Sequence, residues 1–251
     1  MYDAPLLEEI KASFSLKKEE ESCGLIIKNN DSYQFIPCKN TAKDRVNNFI
    51  IDPLDYLKAS RIGDIDCCVH SHIKDVSFSN EDINNSFNNN LNYLLYNIKK
   101  DRFYFFDIKK YRSYQKYTNL DFRLGKSDCA SLIYDFYKQH LNIEVPTRPI
   151  IGDCNSYEEL KNKNLHIWND NLYKDNINMF YIFKPKTFED LKAFDIIVFD
   201  HPKEKIPVHG AIYIDNELIL HQMQESPSRI ETMRKGHFKF INYAARYKLN
   251  L

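Results

Sequence analysis

No charge of one sign prevails in this 251-residue chain, where 35 lysines and arginines face 35 aspartates and glutamates. Such a balance leaves no electrostatic footprint for nucleic acid or for an anionic membrane surface, and neither is expected as a partner. Long apolar runs are missing too. No stretch approaches the roughly 20 residues that cross a bilayer, so membrane insertion is not expected. The opening "MYDAPLLEEIKASFSLKKEEE" lacks the apolar segment of a secretory signal. A protein made and folded in a cytoplasm is the expectation. The cysteines, Cys23, Cys38, Cys67, Cys68, Cys129 and Cys154, have neither the spacing of a disulfide framework nor that of paired C-x-x-C zinc knuckles. They read as reduced thiols, at least one of them open to catalysis. No internal repeat is present.

Asparagine and lysine are abundant, yet "NNSFNNNLNYLLYN" is no disordered tract, because Phe87, Leu91, Leu95 and Ile98 recur through it at helical spacing. The spacing predicts one helix over 79–100. Residues 2–20 predict another, with Leu6, Leu7, Ile10 and Phe14 on one face. "SCGLIIK" and "SYQFIPC" read as strands joined by a turn at Asn29-Asn30-Asp31. Asp52-Pro53 is a helix start, "IDCCVHSH" a strand ending in a histidine pair, and "DRFYFFDIKKYRSYQ" an alternating aromatic strand. A first α/β domain over 1–114 follows. In the second, 115–251, "SDCASLIYDFYKQHL" is helical, with Leu132, Ile133, Phe136, Tyr137 and Leu141 in one stripe. Residues 145–190 look irregular apart from a short helix at "YEELKNK". Three strand-like runs come next, "FDIIVFD", "HGAIYID" and "LILHQM". A helix followed by an antiparallel sheet predicts α+β.

Cys129 stands at the predicted start of its helix, where the positive end of the helix dipole favours thiolate. A thiolate is the nucleophile of acyl transfer; a small apolar core residue is the alternative for a free cysteine. His209 and His221 bracket the predicted hairpin. They share a face only if His221 pairs with Ala211. A three-residue loop, Asp215–Glu217, or an equivalent bulge achieves that. A two-residue turn at Asp215-Asn216 would pair His221 with Gly210 and separate the rings. The odd-length connection is expected, with His209 as base for Cys129 and His221 orienting His209.

These elements resemble the NlpC-type cell-wall peptidases. "SDCASLIYDFY" resembles the family's nucleophile helix and "HGAIYIDNELILHQM" its His-bearing hairpin. "FDIIVFD" resembles its Gly-Asp strand, with Phe194 where glycine is usual. "IWNDNLYKDNI" and "ARYK" are similar to the phage-tail branch. The resemblance covers residues 115–251 and implies a papain-like α+β fold. It makes Cys129 the nucleophile, His209 the base and His221 the third member. Tyr117, in "YTNLDFRLGKSDC", would lend its hydroxyl near the oxyanion; its alternative is a packing aromatic. Asp128 reads as a helix cap.

His70 and His72 alternate along a predicted strand, so both rings face one side. Two imidazoles and a carboxylate suit zinc with a fourth position open, and Asp82 can supply the carboxylate. Ser79-Asn80-Glu81-Asp82 is also a helix N-terminus with Ser79 as cap; the two readings are compatible. The stretch resembles the JAMM (MPN-type) metalloproteases, whose glutamate before a Cys-Gly strand, His-x-His and Ser-x-x-Asp stand here as "ESCGLI" and "HSHIKDVSFSNED". The resemblance implies Zn2+ on His70, His72 and Asp82, Glu21 as general base, and Ser79 as hydrogen-bond donor to the oxyanion. This chain departs from the pattern in two places: the loop from His72 to Ser79 is one residue shorter, and Ile73 replaces a proline.

A JAMM-like domain followed by an NlpC-like one resembles the family of siphophage tail-tip proteins typified by tail assembly protein K of phage lambda. The resemblance implies a hydrolase acting on peptidoglycan peptides and contacting other phage tail-tip proteins. Such a protein is made in the host cytoplasm and carried on the virion tail tip. The alternative is a structural tail-tip component whose JAMM-like domain is catalytically vestigial.

Overall fold

Asp3 starts the first helix, α1 (Ala4–Ser15): its carboxylate accepts the Leu6 amide, and a proline sits in the first turn. α1 is shorter than the expected 2–20. The computed structural model describes residues 2–30, 32–74, 77–147, 159 and 172–248. The chain divides into two units, Met1–Ser113 and Tyr114–Leu251.

In the first unit, β1 (Cys23–Asn29) and β2 (Ser32–Cys38) form the expected antiparallel pair. Asp52 caps α2 (Pro53–Ile62), which leads into β3 (Asp64–His72). The Asn-rich segment corrects the sequence expectation, because it is a helix and then a strand. α3 (Asn80–Asn89) stops where Asn90 turns left-handed, with φ 54°, a conformation asparagine tolerates. β4 (Asn92–Asn97) follows, with Tyr93, Leu94, Leu95 and Tyr96 all buried. A strand flanked on both sides and covered on both faces reads as a continuous apolar run, and here that run coincided with helical spacing. The aromatic strand is also shorter than expected. β5 (Arg102–Phe106) ends at Asp107, which caps α4 (Ile108–Arg112). The sheet order is β2-β1-β3-β4-β5, and only β3 and β4 run parallel.

Alternation along β3 decides what each face carries. Cys67 and Val69 join Ile26, Leu94 and the buried stripe of α1, Leu6, Ile10 and Phe14. Cys68, His70 and His72 therefore point to the opposite face, where Leu25 and Ile27 pack with Ala59 of α2.

In the second unit, Asp128 caps α5 (Cys129–Phe136), accepting the amides of Ala130 and Ser131. This is the role expected of it. The helix closes in a π-turn over Tyr137–Leu141 and packs along β8. The strands are β6 (Phe180–Phe183), β7 (Ile196–Asp200), β8 (Pro207–Asp215), β9 (Leu218–His221), β10 (Arg229–Thr232) and β11 (Ile241–Tyr247). They form one antiparallel sheet in the order β10-β9-β8-β7-β11-β6. β6, β10 and β11 are additions to the three expected strands. Ile197, Phe199, Ala211, Tyr213 and Ile219 pack with Met233 and Ile241 on one face. Together the two units mix helix and sheet in the α+β manner. The expected helix at "YEELKNK", Cys154 and the start of "IWNDNLYKDNI" lie outside the described residues, Glu159 aside. Among the described residues no helix is long and apolar enough to cross a membrane.

Phe194, expected where glycine is usual, has φ 72°. A bulky side chain in that region is a strained outlier. It is held by its ring, which packs on Phe136 at a centroid distance of 5.6 Å, and by its amide, which donates to Tyr213 O at 2.6 Å. The Tyr137 hydroxyl donates to its carbonyl.

Candidate active sites

The shortened loop after His72 does bring Asp82 to the histidine pair. His70 Nε2 lies 3.2 Å from Asp82 Oδ1, and His72 Nε2 lies 3.5 Å from Asp82 Oδ2. One ligand atom from each of the three residues falls within 4.8 Å of the others, and all three residues are buried. Burial pushes the Asp82 carboxyl upward, but His70 and His72 outweigh it and hold the group well below the usual carboxylate range. Burial pushes the His70 imidazole down. Phe49 stacks on the His70 ring, with centroids 4.5 Å apart. Neither ring nitrogen of His70 makes a hydrogen bond among the described residues. A buried polar atom without a hydrogen bond costs about 1–3 kcal/mol, a cost that coordination to a metal would offset. Two imidazoles and a carboxylate, buried and converging, fit a divalent metal of the zinc kind.

The expected helix start at Ser79 is present, and the Asp82 carboxylate faces the two histidines. Ser79 is the N-cap of α3 in a capping box with Asp82. The finer expectation for Ser79 needs correction, because its hydroxyl proton goes to Asp82 Oδ2 at 2.7 Å while its oxygen accepts the Asp82 amide at 3.1 Å. In this arrangement Ser79 orients the Asp82 carboxylate and has no proton left for an oxyanion.

Glu21 lies just before β1, and its backbone is fixed from two sides. Its amide donates to Arg45 O at 2.7 Å, and its carbonyl accepts from Asn40 Nδ2 at 2.8 Å. The next residue, Ser22, donates to Ser71 Oγ at 2.9 Å. Glu21 Oε1 then sits 3.7 Å from His72 Nε2. Burial pushes its carboxyl up to about 7, against the pull of His72. A carboxyl with that value can take and return a proton near neutral pH.

The second site is built on α5, β8, β9 and β10. His221 pairs with Ala211, the register that a three-residue loop would give. The connection is the second of the expected forms: Asn216 and Glu217, with φ 49° and 65°, make a two-residue turn, and a bulge between Tyr213 and Asp215 restores the parity. His209 Nε2 lies 3.1 Å from His221 Nδ1, and Phe199 stacks on His209 at 5.8 Å. Cys129, His209 and His221 line one cavity of about 450 Å³, with Arg229, Glu231 and His237.

Cys129 is 5% exposed, and burial pushes its thiol up to about 11. This corrects the expectation of a resting thiolate: at an enclosed helix start the desolvation of the charge outweighs the dipole. Burial likewise pushes the His209 imidazole down to about 3, helped by His221. Both shifts favour the uncharged forms, a thiol and a neutral imidazole lining the same cavity. Tyr117 is buried against Phe136, with centroids 5.1 Å apart, and its hydroxyl makes no hydrogen bond among the described residues. It is absent from the cavity lining around Cys129. The structure thus places it as a packing aromatic beside α5.

Glu231 was not foreseen. It lies on β10, where Arg229 pairs with His221 and Glu231 falls on the same face. Its Oε1 is 3.2 Å from His221 Nε2, and its Oε2 accepts from Arg229 Nε at 2.6 Å. Burial pushes the Glu231 carboxyl up, but His221 and Arg229 outweigh it and bring it down to about 2. The hint in the sequence was the short alternation Arg229-Ile230-Glu231.

No protein-family model matches this chain, and no curated protein does. A crystal structure of an NlpC/P60 family protein from Bacillus cereus is similar at 13% identity and a TM-score of 0.32. The alignment covers 94% of this chain and 66% of that one, so this chain spans less than two thirds of that protein's length.

Proposed function

We propose that this chain is a phage tail-tip hydrolase whose Cys129 site cleaves peptide cross-bridges of peptidoglycan through a thioester. The observation that carries the proposal is the row Cys129, His209, His221 around one cavity, with the two imidazoles 3.1 Å apart. His209 takes the thiol proton as Cys129 Sγ attacks the scissile carbonyl carbon. The C–N bond breaks, and His209 returns the proton to the leaving amine. Water then attacks the thioester, His209 accepts its proton, and the C–S bond breaks to release the acid and restore the thiol. The tail-tip setting rests on the sequence resemblance and on the order of the two units.

The first unit supports a second activity, a zinc-dependent peptidase or isopeptidase. His70, His72 and Asp82 would hold the ion, which supplies Lewis-acid polarisation of the scissile carbonyl and a nucleophilic water. Glu21 would hold a proton on its carboxylate and pass it to the leaving amine, and Ser79 keeps Asp82 in place.

Digestion of purified peptidoglycan by the wild type and by Cys129→Ala, read by mass spectrometry, tests the first activity. New fragments from the wild type alone are expected, and identical products from both would overturn it. Elemental analysis after zinc-supplemented purification tests the second. One zinc per chain, lost in His70→Ala, is expected; no bound zinc in the wild type would leave the first unit with a structural role.

A further inference from the structure

We infer that Glu231 is a positioning residue that sets the tautomers of both histidines, and so decides which nitrogen of His209 is free to act as base. The inference rests on the Cys129 hydrolase reading of this site and deepens it.

A chain of contacts runs inward from Arg229, whose side chain is 38% exposed, through Glu231 to His221. Arg229 Nε donates to Glu231 Oε2 at 2.6 Å and keeps the carboxylate charged and fixed. A carboxylate is acceptor only. His221 Nε2 lies 3.2 Å from Glu231 Oε1, an ion-pair contact outside hydrogen-bond geometry; a bare lone pair facing a carboxylate would be repelled, so this nitrogen is the one assigned the proton. In a neutral imidazole the other nitrogen is then an acceptor, so His221 Nδ1 accepts. Its partner across 3.1 Å is His209 Nε2, which must donate. His209 is left with its lone pair on Nδ1, which makes no hydrogen bond among the described residues. That is the nitrogen available to the Cys129 thiol proton. Reversal of either imidazole would put a proton on His209 Nδ1 and leave the thiol without a base.

Glu231 does not touch the reacting atoms. It acts through His221, which has no means of choosing its own tautomer. Imidazole alone could present either nitrogen to His209, so a Cys-His-His row without an outer acceptor would be split between productive and unproductive forms.

Long-range 1H–15N correlation spectra of the 15N-labelled wild-type protein at neutral pH test the assignment directly and need no substrate. Protons on His221 Nε2 and His209 Nε2, with both Nδ1 atoms bare, are expected. A proton on His209 Nδ1, or protons on both nitrogens of His221, would overturn it. Glu231→Gln, whose amide can donate or accept, should mix the tautomers. It should lower kcat for thioester formation by on the order of 10²- to 10⁴-fold, the span of general-base catalysis, with KM little changed. Glu231→Asp keeps an acceptor and should recover wild-type tautomers and part of the rate. Equal losses in both variants with unchanged tautomers would reduce Glu231 to a structural residue. A wild type inert toward peptidoglycan would end that substrate reading, while the spectra still decide the tautomers.

Discussion

His209 Nε2 and His221 Nδ1 meet at 3.1 Å although twelve positions separate them along the chain. Neither ring alone defines the base: one would carry the proton, the other would hold the ring still. His221→Ala should therefore keep Cys129 and His209 in place yet lower kcat by at least about 10²-fold, the low end for general-base catalysis. KM should move little. Steady-state kinetics on a peptidoglycan-derived peptide would check this, and a change confined to KM would contradict it.

Acid should loosen the second unit in a defined window. His209 is pushed down to about 3 from the ordinary 6.5, so the unfolded chain binds a proton that the folded chain refuses. Stability is then complete above about 6.5 and falls as pH drops toward 3, by at most about 1.4 kcal/mol per pH unit. Glu231, brought down from 4.5 to about 2, acts in the same direction below its unfolded value: its contribution is present above about 4.5 and is lost as pH falls through 2. Urea unfolding between pH 7 and 4 should show the decline, and His209→Gln should flatten it. A decline of equal slope in that variant would assign the effect elsewhere.

The thiol has its own signature. With Cys129 pushed up to about 11, its alkylation by iodoacetamide should keep accelerating with pH through 9 and show no plateau near neutrality. Peptide mapping would follow the residue. A plateau near pH 6 would mean that a thiolate–imidazolium pair forms at rest.

Phe194 offers a test of stored strain. Alanine keeps the unfavourable φ of 72° and loses the ring, whereas glycine loses the ring but removes the strain, worth about 1–2 kcal/mol. Phe194→Gly should therefore be more stable than Phe194→Ala by about 1 kcal/mol, the reverse of the usual order. Both should be less stable than wild type. Chemical denaturation would rank the three.

Gly24 tests the first unit. A Cβ there would lie 2.4 Å from Phe35 Cε2 and 2.7 Å from Ile36 O on the paired strand. Gly24→Ala should cost about 1–3 kcal/mol by overpacking. Because β2 leads toward Asn40, which holds the Glu21 carbonyl, the displacement should also reduce the peptidase activity proposed for the first unit. Unchanged denaturation midpoints would show that the strands part without penalty.

Much of both sites was legible because its residues are local. His70 and His72 share a strand and Asp82 begins the next helix; Cys129 begins a helix, and the two histidines bracket one hairpin. Local spacing failed where burial on both faces imitates helical periodicity, as in Tyr93–Tyr96. It failed again where four residues are too few to declare a strand, as in β10. Glu231 belongs to that second class. Its role depends on pairing with β9, and pairing is a long-range fact that spacing does not contain. The resting thiol of Cys129 was misjudged because a helix start is visible in sequence, while enclosure is not.

The bulge between Tyr213 and Asp215 makes the hairpin a parity device. Removing or adding one residue between His209 and His221 would turn their rings to opposite sides of the sheet, whereas a change of two would leave them facing. Length drift in this hairpin is thereby restricted to even steps. The turn itself is restricted in sequence as well, because Asn216 and Glu217 both take a left-handed φ, which glycine, asparagine and aspartate tolerate best.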